Sequence, residues 1–143
     1  MISPVLDLNS SLGFIGLGSI GLPMAINLIE RGFQLKVHTK SRLAENDRRL
    51  KGSIDCSTAR DVAEGSDALL LCVSDDEAVE NVLFGPDGAY SALKEGSFVL
   101  DLSTISPRKA KSCAQRLSKK KIIYFDAPVT GGTEAAIKGE LTI

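Results

Sequence analysis

Little in this sequence would staple a small domain or hold a metal. It has three cysteines, Cys56, Cys72 and Cys113, an odd number at wide spacing with no CxxC pair. Such a set makes neither a disulfide framework nor a structural zinc site, and it suits a reducing interior. Histidine occurs once, at His38, so a nucleophilic cysteine would have almost no choice of base. Cys72 lies in an apolar run and reads as a small buried hydrophobe. An excess of one charge is also missing. Lys and Arg number 17 against 18 Asp and Glu, for a net charge of −1, and both signs are spread along the chain. That balance excludes a global pull toward nucleic acid or anionic lipid. No apolar stretch approaches the roughly 20 residues that span a bilayer. Residues 1–11 lack the basic start and apolar centre of a signal peptide. The expected setting is cytoplasmic, with no metal, no nucleic acid and no membrane as partners.

What is present is an alternation. At 143 residues, 43% hydrophobic and 24% charged, the chain has the size and composition of one globular domain. Leu12-Gly13-Phe14-Ile15 predicts a first strand, and residues 20–31 a helix, with Ile20, Met24, Leu28 and Ile29 near one face. Pro23 falls in that helix's first turn, where a missing N–H does little harm, and Gly32 stops it. Leu35 and Val37 alternate with polar residues in a second strand, and residues 42–51 predict a helix. Thr58-Ala59-Arg60-Asp61 has the form of a capping box. The continuous apolar run 68–73 suits a strand buried on both faces, after which Ser74 and Asp75 cap a helix reaching Phe84. A turn at 85–88 precedes a strand at 97–102, a helix at 107–117, a strand at 122–125 and a short helical stretch after Gly131-Gly132. There is no repeat. The order implies βαβ units: an α/β fold with a doubly wound, mostly parallel sheet and helices on both faces. Leu141-Thr142-Ile143 reads as a strand just beginning, so a domain cut from a longer protein is expected.

The sharpest motif is Gly16-Leu17-Gly18-Ser19-Ile20-Gly21. GxGxxG alone is weak among 13 glycines, but this one follows a strand and opens a helix, as a dinucleotide-binding turn requires. Gly16 permits the tight turn, Gly18 lets a pyrophosphate approach the backbone, and Gly21 lets helix and strand pack closely. The helix start then offers unpaired N–H groups and its positive dipole end to the phosphates. At the end of the second strand, an NAD site has an acid for the ribose hydroxyls. Here the residues are His38-Thr39-Lys40-Ser41-Arg42, and no acid lies between Glu30 and Glu45. Two cations and two hydroxyls suit a 2′-phosphate, so NADP(H) is the expected cofactor over NAD(H). Lys40 and Arg42 would supply charge, and Thr39 or Ser41 hydrogen bonds. The alternative is a solvated basic turn. His38 reads as a packing residue at the adenosine side.

A second constellation pairs Asp101-Leu102-Ser103-Thr104-Ile105-Ser106-Pro107 with Asp126-Ala127-Pro128-Val129-Thr130-Gly131-Gly132. Both follow predicted strands, at the carboxyl ends where open α/β sheets bind ligands. Hydroxyls and glycine-exposed N–H groups suit a small carboxylate. Ser103 and Thr104 are equally placed to cap the Pro107 helix, and Gly131-Gly132 to make a plain turn.

With GFIGLGSIGLPMAINL, DLSTISP and DAPVTGGTEAAIKGELTI in this order, the chain resembles the β-hydroxyacid dehydrogenase family over nearly its whole length. That family includes 3-hydroxyisobutyrate dehydrogenases and tartronate or succinic semialdehyde reductases. The resemblance implies a Rossmann-type NAD(P)-binding domain over residues 1–143, with a helical second domain missing. It places the turn 16–21 (Gly16, Leu17, Gly18, Ser19, Ile20, Gly21), the residues Thr39, Lys40, Ser41 and Arg42, the loop of Val73, Ser74 and Asp75, and Thr104 on the cofactor. Ser103, Thr104, Gly131 and Gly132 would hold the substrate. Departures are Lys40 where the family often has Arg, which loses a bidentate fork, Thr130 for a common Ser, and Ala135 for a common Gly.

The family's catalytic lysine, and an asparagine one helical turn after it, would come from beyond Ile143, so no catalytic residue is expected in this chain. Lys109, Lys111 and Lys138 have no motif support for that role, and Lys119-Lys120-Lys121 reads as a solvated helix end. The fragment alone is then expected to bind cofactor and turn over little. The full-length protein would be a homo-oligomer that takes a small carboxylate substrate. Two alternatives stay open: a non-catalytic dinucleotide-binding module, and a relative with imine reductase or 6-phosphogluconate dehydrogenase chemistry.

Overall fold

The computed structural model describes residues 5–40 and 47–143. Six strands form one sheet: β1 (Ser11–Ile15), β2 (Gln34–His38), β3 (Ile54–Asp55), β4 (Ala68–Leu71), β5 (Phe98–Asp101) and β6 (Ile123–Asp126). Between and after them run α1 (Gly21–Glu30), α2 (Ala59–Ala63), α3 (Asp76–Phe84), α4 (Pro107–Ser118) and α5 (Gly132–Lys138). Every strand pairing is parallel, in the order β3-β2-β1-β4-β5-β6. The chain winds outward from β1 through β2 to β3, then crosses back to β4 and winds outward the other way. The reversal lies between β1 and β4, and there the carboxyl ends of the two strands open a crevice.

Strand alternation divides the core. Leu12 and Phe14 of β1 and Leu70 of β4 point to the side where Ala25 and Ile26 of α1 pack. Ile15, Leu69 and Leu71 point to the other side, against Val62 of α2, Val79 and Leu83 of α3, and Leu117 of α4. Helices therefore cover both faces, and both faces of β4 are buried, which is why its sequence is a continuous apolar run. Burying side chains such as Phe14 and Leu69 contributes about 1.5–3 kcal/mol each.

The caps follow sequence chemistry. The Thr58 hydroxyl accepts from the Asp61 N–H at 3.1 Å, and Asp75 accepts from the Ala78 N–H at 2.8 Å. Four expectations or alternatives come out differently. The cap at α4 is Ser106, whose hydroxyl accepts from the Lys109 N–H at 3.2 Å; neither Ser103 nor Thr104 serves. Leu141-Thr142-Ile143 starts no strand of the sheet. Thr142 turns back to form an antiparallel bridge with Thr130. Of the expected helix at 42–51, residues 42–46 lie outside the described residues, and the rest is one short 3₁₀ turn at Arg48–Leu50 capped by Asp47. The lysine run after α4 is more engaged than a solvated face: Lys120 donates to the Tyr90 carbonyl at 2.7 Å, and Lys121 pairs with Glu95 at 2.8 Å. No helix among the described residues is long and apolar enough to cross a membrane.

α5 is short and is fastened to α1 by one side chain. The Asn27 amide donates to the Ala136 carbonyl at 2.9 Å, which also accepts from the Gly139 N–H at the end of α5. Asn27→Ala is expected to lower unfolding free energy by about 1 kcal/mol, the usual net worth of such a bond. Urea denaturation reads it, and an unchanged midpoint at unchanged slope would count against the tie.

Candidate functional site

The glycine turn starts at the sheet's reversal. The Gly16 N–H donates to the His38 carbonyl at 3.0 Å, and the Cys72 N–H to the Ile15 carbonyl at 2.9 Å, so the ends of β2, β1 and β4 are drawn together. Gly16 has φ +100°, and a Cβ there would overlap the Cys72 carbonyl. Gly21 has ordinary helical backbone, but its Cβ would overlap the carbonyl oxygen of Gly16. At Gly18 nothing lies within 4 Å of where a Cβ would stand. The three glycines thus have three separate causes: backbone sign, helix-to-turn contact, and open space. Ile20 precedes α1 without a side-chain cap. The N–H groups of Gly18, Ser19, Ile20 and Gly21 have no acceptor among the described residues. Four free donors and the helix dipole favour negative charge at this end of α1.

Beside this turn lies a cleft of about 670 Å³. Its walls are residues 15–18 of the turn, 38–40 at the end of β2, 72–74 after β4, 57–59 at the start of α2, Ala78, Asn81 and Val82 on one side of α3, and Pro86 and Asp87. Of the residues expected on a cofactor, Gly16, Leu17, Gly18, Thr39, Lys40, Val73 and Ser74 line it together. Ser19, Ile20, Gly21, Asp75 and Thr104 do not, and Ser41 and Arg42 lie outside the described residues. Asp87 is the acid in the lining, and it comes from the turn after α3 rather than from β2. The His38 Nδ1 donates to the Cys56 carbonyl at 2.9 Å, which fixes the ring against its own scaffold. Cys72 also lines the cleft; burial raises its thiol pKa, so it stays a protonated neighbour.

The second constellation is built at the ends of β4, β5 and β6, where Leu71, Asp101 and Asp126 stand in register. Asp101 is fully buried. Its Oδ1 accepts from the Ser103 N–H at 3.0 Å, and its Oδ2 from the Tyr124 hydroxyl at 2.8 Å. Burial pushes the Asp101 carboxyl pKa up, against the hydrogen bonds from Ser103 and Tyr124 that favour the carboxylate. Burial and the adjacent Asp101 charge push the Tyr124 phenol up. Ser103 is 2% exposed, and its hydroxyl accepts from the Val73 N–H at 3.0 Å. Thr104, one residue on, is exposed. Gly131 and Gly132 both have positive φ and open α5, and a Cβ on Gly131 would stand 2.8 Å from that of Ala135, so the loop is tight there. Neither glycine borders the cleft, nor does Ser103.

Some lining residues had weak sequence signals. Ser57 and Thr58 reach the cleft because the chain leaves β3 beside it, and β3 is only two residues long. Ala78, Asn81 and Val82 sit at i, i+3 and i+4, a helical stripe that cannot be told from ordinary core packing. Tyr124 carried no motif at all.

A family model described as the NAD binding domain of 6-phosphogluconate dehydrogenase matches residues 11–143. The chain is 44% identical over 132 residues to 2-hydroxy-3-oxopropionate reductase of Escherichia coli (strain K12), covering 92% of this chain and 45% of that protein. Among solved structures, a complex of Psf3 with NADP+ and 2-OPP aligns with TM-score 0.84 and 31% identity, over 91% of this chain and 46% of the other. Mycobacterium tuberculosis 3-hydroxyisobutyrate dehydrogenase with L-serine shares the fold, with TM-score 0.82 at 24% identity, over 92% of this chain and 44% of that one. The chain spans about half the length of these relatives.

Proposed function

Because the chain belongs to the β-hydroxyacid dehydrogenase family, we propose that it is the NADP(H)-binding domain of an oxidoreductase acting on a small hydroxy acid or its semialdehyde. The observation that carries the cofactor half of this reading is the cleft itself. Gly18, with open space before it, lines the cleft together with Thr39 and Lys40, and the unpartnered N–H groups of Ser19, Ile20 and Gly21 follow Gly18 directly at the start of α1. The pyrophosphate would lie over Gly18 and the α1 N-terminus, where four N–H groups have no acceptor among the described residues. Lys40 and Thr39, with Ser41 and Arg42 following them in the chain, would take the 2′-phosphate, which the usual ribose-binding acid would repel. Val73, Ser74 and Asp75 would border the nicotinamide half. Thr104, Ser103, Gly131 and Gly132 would receive the substrate carboxylate.

When bound, the nicotinamide ring supplies or accepts the hydride. This chain's part is to hold the phosphates, to fix the dinucleotide's direction along the crevice, and to carry part of the carboxylate site. The proton partner would be a lysine from beyond residue 143, so the domain alone would bind cofactor with little turnover. Support for hydroxy acid chemistry is the 44% identity to the reductase over nearly the whole chain.

Titration with NADPH and with NADH tests the cofactor half. A hydrogen bond to a charged group is worth about 1.5 kcal/mol, so one lost 2′-phosphate contact is worth about tenfold in affinity. NADPH is expected to bind at least about tenfold tighter, and Lys40→Glu to remove or reverse that margin. NADH binding as tightly as NADPH in the unaltered chain would sink the NADP(H) reading.

A further inference from the structure

Asp101 is a carboxylate with no exposed surface and no cation among its hydrogen-bond partners, which are the Ser103 N–H and the Tyr124 hydroxyl. Burying such a group is costly, and a hydrophobic residue would fill the space at less expense. What the carboxylate adds is direction. Tyr124 holds Oδ2, which fixes the rotation of the group, so Oδ1 faces the Ser103 N–H. Ser103 is thereby oriented with its hydroxyl under the Val73 N–H. Val73 is the second residue after β4, and its side chain stands against the glycine turn, 3.1 Å from where a Cβ on Gly16 would be. One line of hydrogen bonds therefore runs from β6, through β5, to the loop that borders the cleft. Partly satisfied networks of this kind are worse than none, and each link here is made.

We infer that Tyr124 and Asp101 are positioning residues for the dinucleotide cleft, acting through Ser103 to set the backbone at Val73. Neither side chain lines the cleft. The assignment rests on the cofactor reading above for its functional half, while the structural half stands on the hydrogen bonds alone. It also gives Ser103 an inward duty. Thr104, the next residue, is the exposed hydroxyl of this turn.

Tyr124→Phe is the direct probe, because it removes one hydroxyl and keeps the ring. Ser103→Ala breaks the line at its other end and serves if the first variant folds poorly. Amide hydrogen exchange of the full chain, read by nuclear magnetic resonance, should show Val73 exchanging about tenfold faster in either variant, as expected when a hydrogen bond worth about 1.4 kcal/mol is lost. Leu70, inside β4, should keep its rate. NADPH affinity should weaken about five- to tenfold in each single variant, and the double variant should be no weaker than Ser103→Ala alone, because both act through one path. A purely structural role would lower stability and leave the NADPH affinity of the folded variants unchanged, which would overturn the inference. Additive losses, or an unchanged Val73 rate in Tyr124→Phe, would overturn the inference. If the unaltered chain binds neither NADPH nor NADH, the cofactor reading fails, and the Val73 rates still decide whether the line of bonds sets that backbone.

Discussion

Gly18→Val is expected to weaken dinucleotide binding about 100-fold, close to 2.7 kcal/mol, while leaving stability within about 0.5 kcal/mol of the parent. The two halves of that expectation come from one observation. No atom lies within 4 Å of the position a Cβ would take at Gly18, so the fold has no objection to a side chain there. Its φ is not in the left-handed region, so the backbone has none either. The side chain would instead occupy the space in front of the free N–H groups of α1, where the pyrophosphate must come within hydrogen-bond reach of the backbone. Fluorescence titration with NADPH gives the affinity, and thermal unfolding without ligand gives the stability. Undiminished NADPH binding by the variant would mean that the phosphates do not lie over this turn.

Gly21→Ala should do the reverse. Here one methyl group would overlap the Gly16 carbonyl oxygen, with the Cys72 Cβ 3.3 Å away. Neither obstacle is the tip of a flexible side chain. Gly16 is bound through its N–H to His38, and Cys72 follows β4 directly, so α1 itself has to lift. Overpacking of a tight backbone contact costs about 3 kcal/mol, which for a domain of this size lowers the unfolding midpoint by roughly 10 °C. Circular dichroism melts without ligand would show it. A midpoint unmoved by Gly21→Ala would mean that helix and turn do not pack as described. Measured side by side, the two variants separate a glycine kept for a ligand from one kept for the fold.

Much of this was legible in the residues. The alternation of Leu35 and Val37, the unbroken apolar run of β4 and the Thr58 box all rest on local rules, and local rules survive folding. The glycine motif was legible because its three positions are constrained for different reasons at fixed spacing. Other features depend on partners far along the chain. Tyr124 meets Asp101 across two strands, 23 residues apart, and nothing local marks either as half of a pair. β3 is too short for an alternation to show. Ser106 before Pro107 was a fair capping signal, but the DxST motif beside it drew the role to Ser103 and Thr104. Those two residues then divide differently, one turned into the sheet and one left outside.

The reversal of strand order at β1 also has a kinetic meaning. Ser11 pairs with Gln34 on one side, while its neighbour Leu12 pairs with Ala68 on the other. The first closure spans a short length of chain and the second more than twice as much, so the second meets the larger loop entropy. Until β4 arrives, Gly16 lacks the Cys72 carbonyl that walls its turn, and Val73 is not there to border the cleft. A nascent chain with only β1, α1 and β2 docked would carry the whole glycine motif and lack the wall of the cleft that residues 72–74 supply. A ligand that fills the finished cleft therefore favours the completed sheet, adding its binding energy to the native side of the folding balance.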